Sequence, residues 1–301
     1  MTPPKTPDHW ANTLTQILDV TCGNETQRFP IDVPSLAKMY SEQRYPEDPI
    51  TLVKGRDLDD FEGALMRAPS GKKGWGIVYN NELGSPGRIN FTLAHEFGHY
   101  LLHRKKYPNG IQCSEEDMVR WDSEYGKMEH EANRFAACLL MPLNDFRKQI
   151  SPNTKPNIST LSQCADRYGV SLIAATLRWL EFTERRAVLV ISRDGFILWA
   201  RSSESALKSG AYFKTSGRSP IEVPEQSLMM TLDIDPGHDT NANHPPGVWL
   251  KEACEEHALV SSQYDLAFSL LHLPEKQRYD DFENEEEETV SERIQRLHGL
   301  R

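Results

Sequence analysis

In the stretch "INFTLAHEFGHYLLHR", residues Ile89 to Arg104, two histidines lie four apart and a glutamate directly follows the first. On a helix, residues i and i+4 share a face, so His95 and His99 can each offer a neutral imidazole nitrogen to one ion at about 2.0–2.1 Å. Glu96 points at another angle. It suits a water acidified by that ion, whose proton it can take and later hand to a leaving amine, while the same ion polarises the scissile carbonyl. From the His and Glu content of this chain, H-E-x-x-H arises by chance on the order of 0.03 times, so a helix with merely hydrogen-bonded histidines is the weaker reading. The flanking "FTLA" and "YLL" also make the segment apolar, as a buried metal helix requires.

A catalytic zinc needs a third protein ligand and one open position. His103 continues the row, but two helical turns place it roughly 12 Å from His95, too far to share an ion. The metzincin pattern wants a glycine and a more distant histidine; here position 102 is leucine and the third histidine comes early. His103 therefore reads as a residue that meets carbonyls at the helix C-terminus or reaches solvent. Downstream carboxylates are plentiful (Glu115, Glu116, Asp117, Asp122, Glu124, Glu129, Glu131). Glu131 shares a helical face with Phe135 and Leu139 and is the expected ligand. Glu129, rotated toward the other side, is the alternative.

These residues need elements to hold them. "HWANTLTQILDV" and "VPSLAKMYSEQ" have helical apolar spacing, the second with Pro34 suited to a first turn. "ITLVK", "EGALMRA" and "GWGIVYN" are strand-like, and "NELGSPGRIN" reads as a loop leading into the histidine helix. A second helix is expected over Met128–Leu140, closed by "MP". "ISTLSQCADRYGVSLIAATLRWLEF" has the shape of two short helices around "YGVS", with Gly169 permitting the turn and Ser171 capping the second. "AVLVIS–RDG–FILWARS" reads as a hairpin turning at Arg193-Asp194-Gly195. "DIDPGHDTNANHPPG" reads as a loop; its His238, Asp239 and His244 form at most a surface turn rather than a second metal site. Trp249, Tyr264, Phe268 and Leu270 read as core. "DDFENEEEE" is a solvated acidic run, followed by a short helix whose Thr289 and Glu292 fit a capping box.

The chain has 301 residues, 34 basic against 44 acidic, for a net charge of −10. That excess argues against charge-driven nucleic-acid binding. Five scattered cysteines (Cys22, Cys113, Cys138, Cys164, Cys254) fit neither a disulfide framework nor a thiolate zinc site, and suggest a reducing cytoplasm. "MTPPKTPDHW" has no signal-peptide pattern, and no apolar run is long enough to span a bilayer. The expectation is a cytoplasmic protein with no membrane partner.

"FTLAHEFGHYLLH" followed by "EHEANRFAACLLMP" resembles the ImmA/IrrE metallo-endopeptidases, in which the same two blocks form the zinc site. "LSQCADRYGVSLIAATLRWLE" is similar to the helix-turn-helix-like region of longer members, and "AVLVISRDGFILWARSS" to the start of their C-terminal part, GAF-like in IrrE-type proteins. The resemblance implies an α+β architecture: a zincin-like metallopeptidase domain (1–152), a short helix-turn-helix-like segment (153–184), an α+β C-terminal domain that could be a GAF-like sensor (185–275), and an acidic tail with a short helix (276–301). It implies a single-zinc peptidase with His95, His99 and Glu131 as ligands and Glu96 as base; a monomer is expected, with manganese as the alternative metal. Its substrate would be a helix-turn-helix repressor of the XRE type, cut to relieve repression in a stress or mobile-element response. The competing reading is a DNA-binding regulator with a structural metal site. Against it, the second helix of the pair, "LIAATLRWLEF", is mostly apolar, whereas a helix for the major groove should offer basic and polar side chains.

Overall fold

The computed structural model describes residues 6–22, 28–58, 61–113, 124–215, 219–230, 240–261 and 266–275. Among them, a four-stranded mixed sheet and a set of helices form the first half, and a six-stranded antiparallel sheet forms the second. The α+β expectation holds. Tyr264, the acidic run, and the capping box at Thr289 and Glu292 fall outside the described residues.

Helices α1 (Pro7–Cys22) and α2 (Val33–Arg44) open the chain. The Asp32 side chain accepts a hydrogen bond from the Ser35 amide, and Pro34 sits in the first turn of α2, where no amide hydrogen is needed. Strands β1 (Ile50–Arg56), β2 (Gly63–Arg67), β3 (Trp75–Asn80) and β4 (Gly110–Cys113) lie in the order β1-β3-β2-β4. β1 runs parallel to β3, and β2 is antiparallel to both β3 and β4. Leu65, Trp75 and Ile77 form the buried inner face of this sheet. Against it lies α3 (Pro86–Leu102), which begins inside the segment expected to be a loop: Pro86 pre-sets the backbone at the first helical turn, directly after Ser85. α4 (Glu124–Leu140) begins earlier than expected, and α5 (Leu143–Gln149) follows Pro142 without having been foreseen.

The helix pair forms as read. In α6 (Ile158–Tyr168) the Asn157 side chain caps the Thr160 amide at 2.9 Å. Gly169 ends it at φ 59°, and Ser171 caps α7 (Leu172–Leu180) through the Ala174 amide. Gly169 is also a close approach, since a Cβ there would lie 2.8 Å from Pro30 Cβ. Its carbonyl accepts from Asn90 Nδ2 at 3.1 Å, and a Cβ on Gly87 would lie 2.7 Å from the Val170 carbonyl carbon. The turn between α6 and α7 thus rests on the first turns of α3.

Strands β5 (Ala187–Arg193) and β6 (Phe196–Ser202) form the expected hairpin, with Asp194 at φ 51° and Gly195 at φ 78°, the two left-handed residues of a tight turn. The short helix α8 (Glu204–Lys208) follows. With β7 (Ile221–Glu222), β8 (Thr240–His244), β9 (Cys254–Ser261) and β10 (Leu266–His272), the sheet runs β7-β6-β5-β10-β9-β8. Residues 240–244, expected to belong to a loop, pair instead as a strand with β9.

This sheet is covered on both faces. Leu189 pairs with Leu270 and Ile191 with Phe268, so these four share one face, and they belong to the same buried cluster as Trp179 of α7, Phe97 of α3 and Phe135 of α4. Val188, Val190 and Leu271 occupy the other face in a second cluster with Val223 and Trp249. On that face the Glu256 carboxylate is fully buried. It accepts from Ser227 and Ser269 hydroxyls (both 2.8 Å), the Leu228 amide (3.1 Å) and Trp249 Nε1 (3.0 Å), and pairs with His244 Nε2 at 2.7 Å. His244 is therefore half of a buried pair rather than part of a surface turn; His238 and Asp239 lie outside the described residues.

Where the two halves meet, His272 donates through Nε2 to the Pro156 carbonyl at 3.0 Å and packs edge-on against Trp179 and His257. Burial, then the charge of His257, push its pKa down to about 3. An imidazole in the unfolded chain titrates near 6.5, so below that pH the unfolded state binds the extra proton and stability falls as pH drops from about 6.5 toward 3. Between pH 6.5 and 5 this one group costs about 2 kcal/mol. In urea unfolding of metal-free protein, His272→Gln should show a visibly smaller loss of stability from pH 7 to pH 5 than the wild type.

Candidate metal centre

Ten consecutive residues of α3, Thr92 to Leu101, are buried. A helix buried all round must be packed on every side. Leu93, Ala94, Phe97, Tyr100 and Leu101 serve that packing in one cluster with residues of the sheet and of α1, α2 and α4. The polar remainder is Thr92, His95, Glu96 and His99, of which the last three are 7%, 0% and 0% exposed. Groups of this polarity tolerate such burial only with specific partners.

The partner helix is α4, and its approach is set by two small residues. A Cβ on Gly98 would lie 3.3 Å from Ala132 Cα and 2.9 Å from Phe135 Cδ1, so the helices touch closely at that point. Glu129 precedes Ala132 by three residues, about 60° round the helix. It is 3% exposed and reaches the histidines: its carboxylate oxygens lie 3.1 Å from His95 Nε2 and 3.3 Å from His99 Nε2. The two Nε2 atoms are 2.8 Å apart. His95, His99 and Glu129 are the one group of three potential metal ligands among the described residues whose ligand atoms converge.

Glu131 does not join them. Its carboxylate is half-exposed and lies 3.0 Å from His103 Nε2. Of the two downstream carboxylates, the structure brings Glu129 to the histidines; Phe135 and Ala132 both meet Gly98 of α3, so apolar neighbours on α4 do not by themselves single out the carboxylate that reaches the site. Nor does His103 reach solvent or helix-end carbonyls. It is buried, with Nδ1 2.9 Å from His99 Nδ1. Asn133, which carries no motif signal in the sequence, lies with Oδ1 2.9 Å from His95 Nδ1. Of the other downstream acids, Glu124 pairs with Lys106, and positions 115–117 and 122 lie outside the described residues.

The donor set fits a cation. The Asn133 oxygen accepts, so His95 carries its proton on Nδ1 and turns its Nε2 lone pair inward. Two imidazole lone pairs and a carboxylate then face one point, at separations close to the roughly 3.3 Å expected between donors around a tetrahedral ion of zinc's size. With nothing positive between them they would repel. The protonation equilibria express the same demand. Burial disfavours charge on His95, but its hydrogen bond to Glu129 and the charges of Glu96 and Glu129 outweigh that, and its pKa is raised. Burial and the charge of His95 push His99 down to about 3. Burial opposes ionisation of Glu129, yet hydrogen bonds with His95 and His99 hold its carboxyl well below the usual range. The centre asks for positive charge, from a metal or from a proton on His95.

Glu96 faces strand β2. A Cβ on Gly63 would lie 2.8 Å from Glu96 Oε1 and 2.6 Å from Thr92 Cγ2, so the absent side chain of Gly63 makes room for the carboxylate beside His95. The site is thus four side chains on two helices, backed by one strand glycine.

These features define a metal-dependent hydrolase type of site, an H-E-x-x-H helix completed by a carboxylate from a second helix. Residues 47–180 match the family model described as peptidase M78, IrrE N-terminal-like domain. Over these residues the chain is similar to metallopeptidases of the ImmA/IrrE type. The match runs through the helix pair to the end of α7 and stops before the six-stranded sheet. No curated protein matches the chain.

Elemental mass spectrometry of purified protein should find about one divalent ion per chain, lost in His99→Ala and in Glu129→Ala. Gly98→Ala should unfold at lower urea concentration. The helix gains about 1 kcal/mol in propensity from alanine, but overpacking against Phe135 and the Ala132 backbone costs about 1–3 kcal/mol and pushes the ligand helices apart.

Proposed function

We propose that this chain is a zinc-dependent, site-specific endopeptidase, with manganese as the alternative metal. The observation that carries the reading is the buried convergence of His95, His99 and Glu129 with Glu96 at its edge. His95, His99 and Glu129 would hold the metal, which supplies Lewis acidity toward a carbonyl and toward water at neutral pH. Glu96 would take the proton of the attacking water and return it to the departing amine. Its setting suits that work: the carboxylate is walled in by α3 and β2, beside the ligands but on a different side of the helix. A structural metal site has no use for such a base.

The substrate reading comes from likeness to the ImmA/IrrE family: an XRE-type helix-turn-helix repressor, cut in a stress or mobile-element response in the cytoplasm by a monomeric enzyme. Depth supports selectivity, since His95, Glu96, His99 and Glu129 are all buried. Among the described residues no helix is long and apolar enough to cross a membrane.

DNA binding by the helix pair is disfavoured by how α7 spends its side chains. Trp179 is fully buried, and Arg178 is turned inward, donating to the Met141 carbonyl at 2.8 Å and paired with Glu181 at 2.5 Å. The pair works here as a buttress for α3. The C-terminal sheet is the candidate sensor region; the GAF-like reading of it rests on sequence likeness alone.

Purified wild type should cut a co-expressed XRE-type repressor at one site and leave casein intact. Glu96→Gln should keep its metal while cleavage falls at least 10²–10⁴-fold. Retained cleavage in Glu96→Gln, or rapid digestion of casein, would sink the reading.

A further inference from the structure

His103 and Glu131 fall outside the ligand set, yet they are joined to it in a row. His99 Nδ1 lies 2.9 Å from His103 Nδ1, and His103 Nε2 lies 3.0 Å from Glu131 Oε2. Hydrogen-bond capacity settles where the protons are. An ionised carboxylate only accepts, so His103 must carry a hydrogen on Nε2. A neutral imidazole has one N–H, which leaves His103 Nδ1 bare and accepting. The hydrogen between the two Nδ1 atoms therefore belongs to His99, and His99 Nε2 is left with its lone pair, aimed at His95 and Glu129.

We propose that Glu131 and His103 form a two-step positioning relay that fixes the Nδ1–H tautomer of His99 and so presents its Nε2 to the metal. The proposal rests on the reading of His95, His99 and Glu129 as ligands. Neither residue touches the metal or substrate; both act through His99. Metal-bound histidines commonly give their second N–H to a carboxylate or carbonyl directly. Here an imidazole stands between. The reason lies in the local charge: Glu96 and Glu129 already place two carboxylates in a buried centre, and a third against His99 would be desolvated beside them. Interposing His103, whose ring centre is 5.1 Å from that of His99, moves the anchoring charge outward to Glu131, which is 50% exposed and stays hydrated. The same helix that offers Glu129 to the metal thereby offers Glu131 to the relay, two residues on.

Zinc affinity, measured on the full chain by competition with a chromophoric chelator, tests this. Glu131→Ala should bind zinc 10–100-fold more weakly than wild type. Glu131→Gln keeps an accepting carbonyl and should recover most of that loss, although it has lost the charge. Glu131 is half-exposed on a helix, so the melting of both metal-free variants should match wild type. In ¹⁵N-histidine-labelled, metal-free protein, long-range ¹H–¹⁵N spectra should show His103 protonated at Nε2 and His99 at Nδ1. Wild-type affinity in Glu131→Ala overturns the relay while leaving the ligand set intact. So does an equal loss in the Ala and Gln variants, which would make the effect one of charge alone, or a His103 protonated at Nδ1. A wild type that binds no zinc would overturn the ligand reading itself, and the relay with it.

Discussion

The contact between Gly98 of α3 and Ala132 of α4 governs the rest of the molecule's chemistry. Two helices carrying Leu or Phe at that crossing would sit farther apart, and a glutamate side chain could not span from one backbone to the imidazoles of the other. Because glycine meets alanine, Glu129 reaches both histidines, Asn133 reaches His95 from the next turn of α4, and Glu131, between them, reaches His103. Each polar contact between the two helices of the centre depends on this one spacing. The large residues around it, Phe97, Phe135 and Tyr100, lock the crossing from the sides.

Polar groups buried this deeply need their hydrogen bonds aimed as well as satisfied, and the centre shows two solutions. His95 is aimed by a neutral amide. His99 is aimed through a second imidazole by a carboxylate that remains in water. A similar economy of charge appears in the six-stranded sheet, where the single buried carboxylate of Glu256 gathers five partners and holds the 219–230 and 240–250 segments onto the strands.

What was legible in the sequence follows from the range of the interactions involved. His95, Glu96 and His99 lie within one turn and a quarter of helix, and that period alone places them. The turn at Gly169, the cap at Ser171 and the hairpin at Asp194-Gly195 are equally local, and each forms as read. The choice between Glu129 and Glu131 was not local. Large apolar residues show which side of a helix is buried, but not which partner helix each stretch of it meets; the close approach of Ala132 and Phe135 to Gly98 decides that, and it lies between residues far apart in sequence. The distance of His103 from His95 along the helix bears on direct ligation and says nothing of contact through His99, which the structure shows. Strand β8, "TNANH", has little strand character of its own and exists through its pairing with β9. Helix α3 starts at Pro86, because a proline after serine opens helices as readily as it marks loops.

The cluster that joins Phe97 and Phe135 to Trp179, Leu189, Ile191, Phe268 and Leu270 has a thermodynamic consequence. The sheet cannot be melted away from the ligand helices without stripping apolar surface from both, so the stability of one half is coupled to that of the other. Any cation that binds only the folded centre then stabilises the distant strands by mass action, by about 2.7 kcal/mol at a hundredfold excess over its dissociation constant. Linkage is reciprocal. Whatever loosens or tightens the six-stranded sheet alters the grip on the ion, without any messenger moving between them.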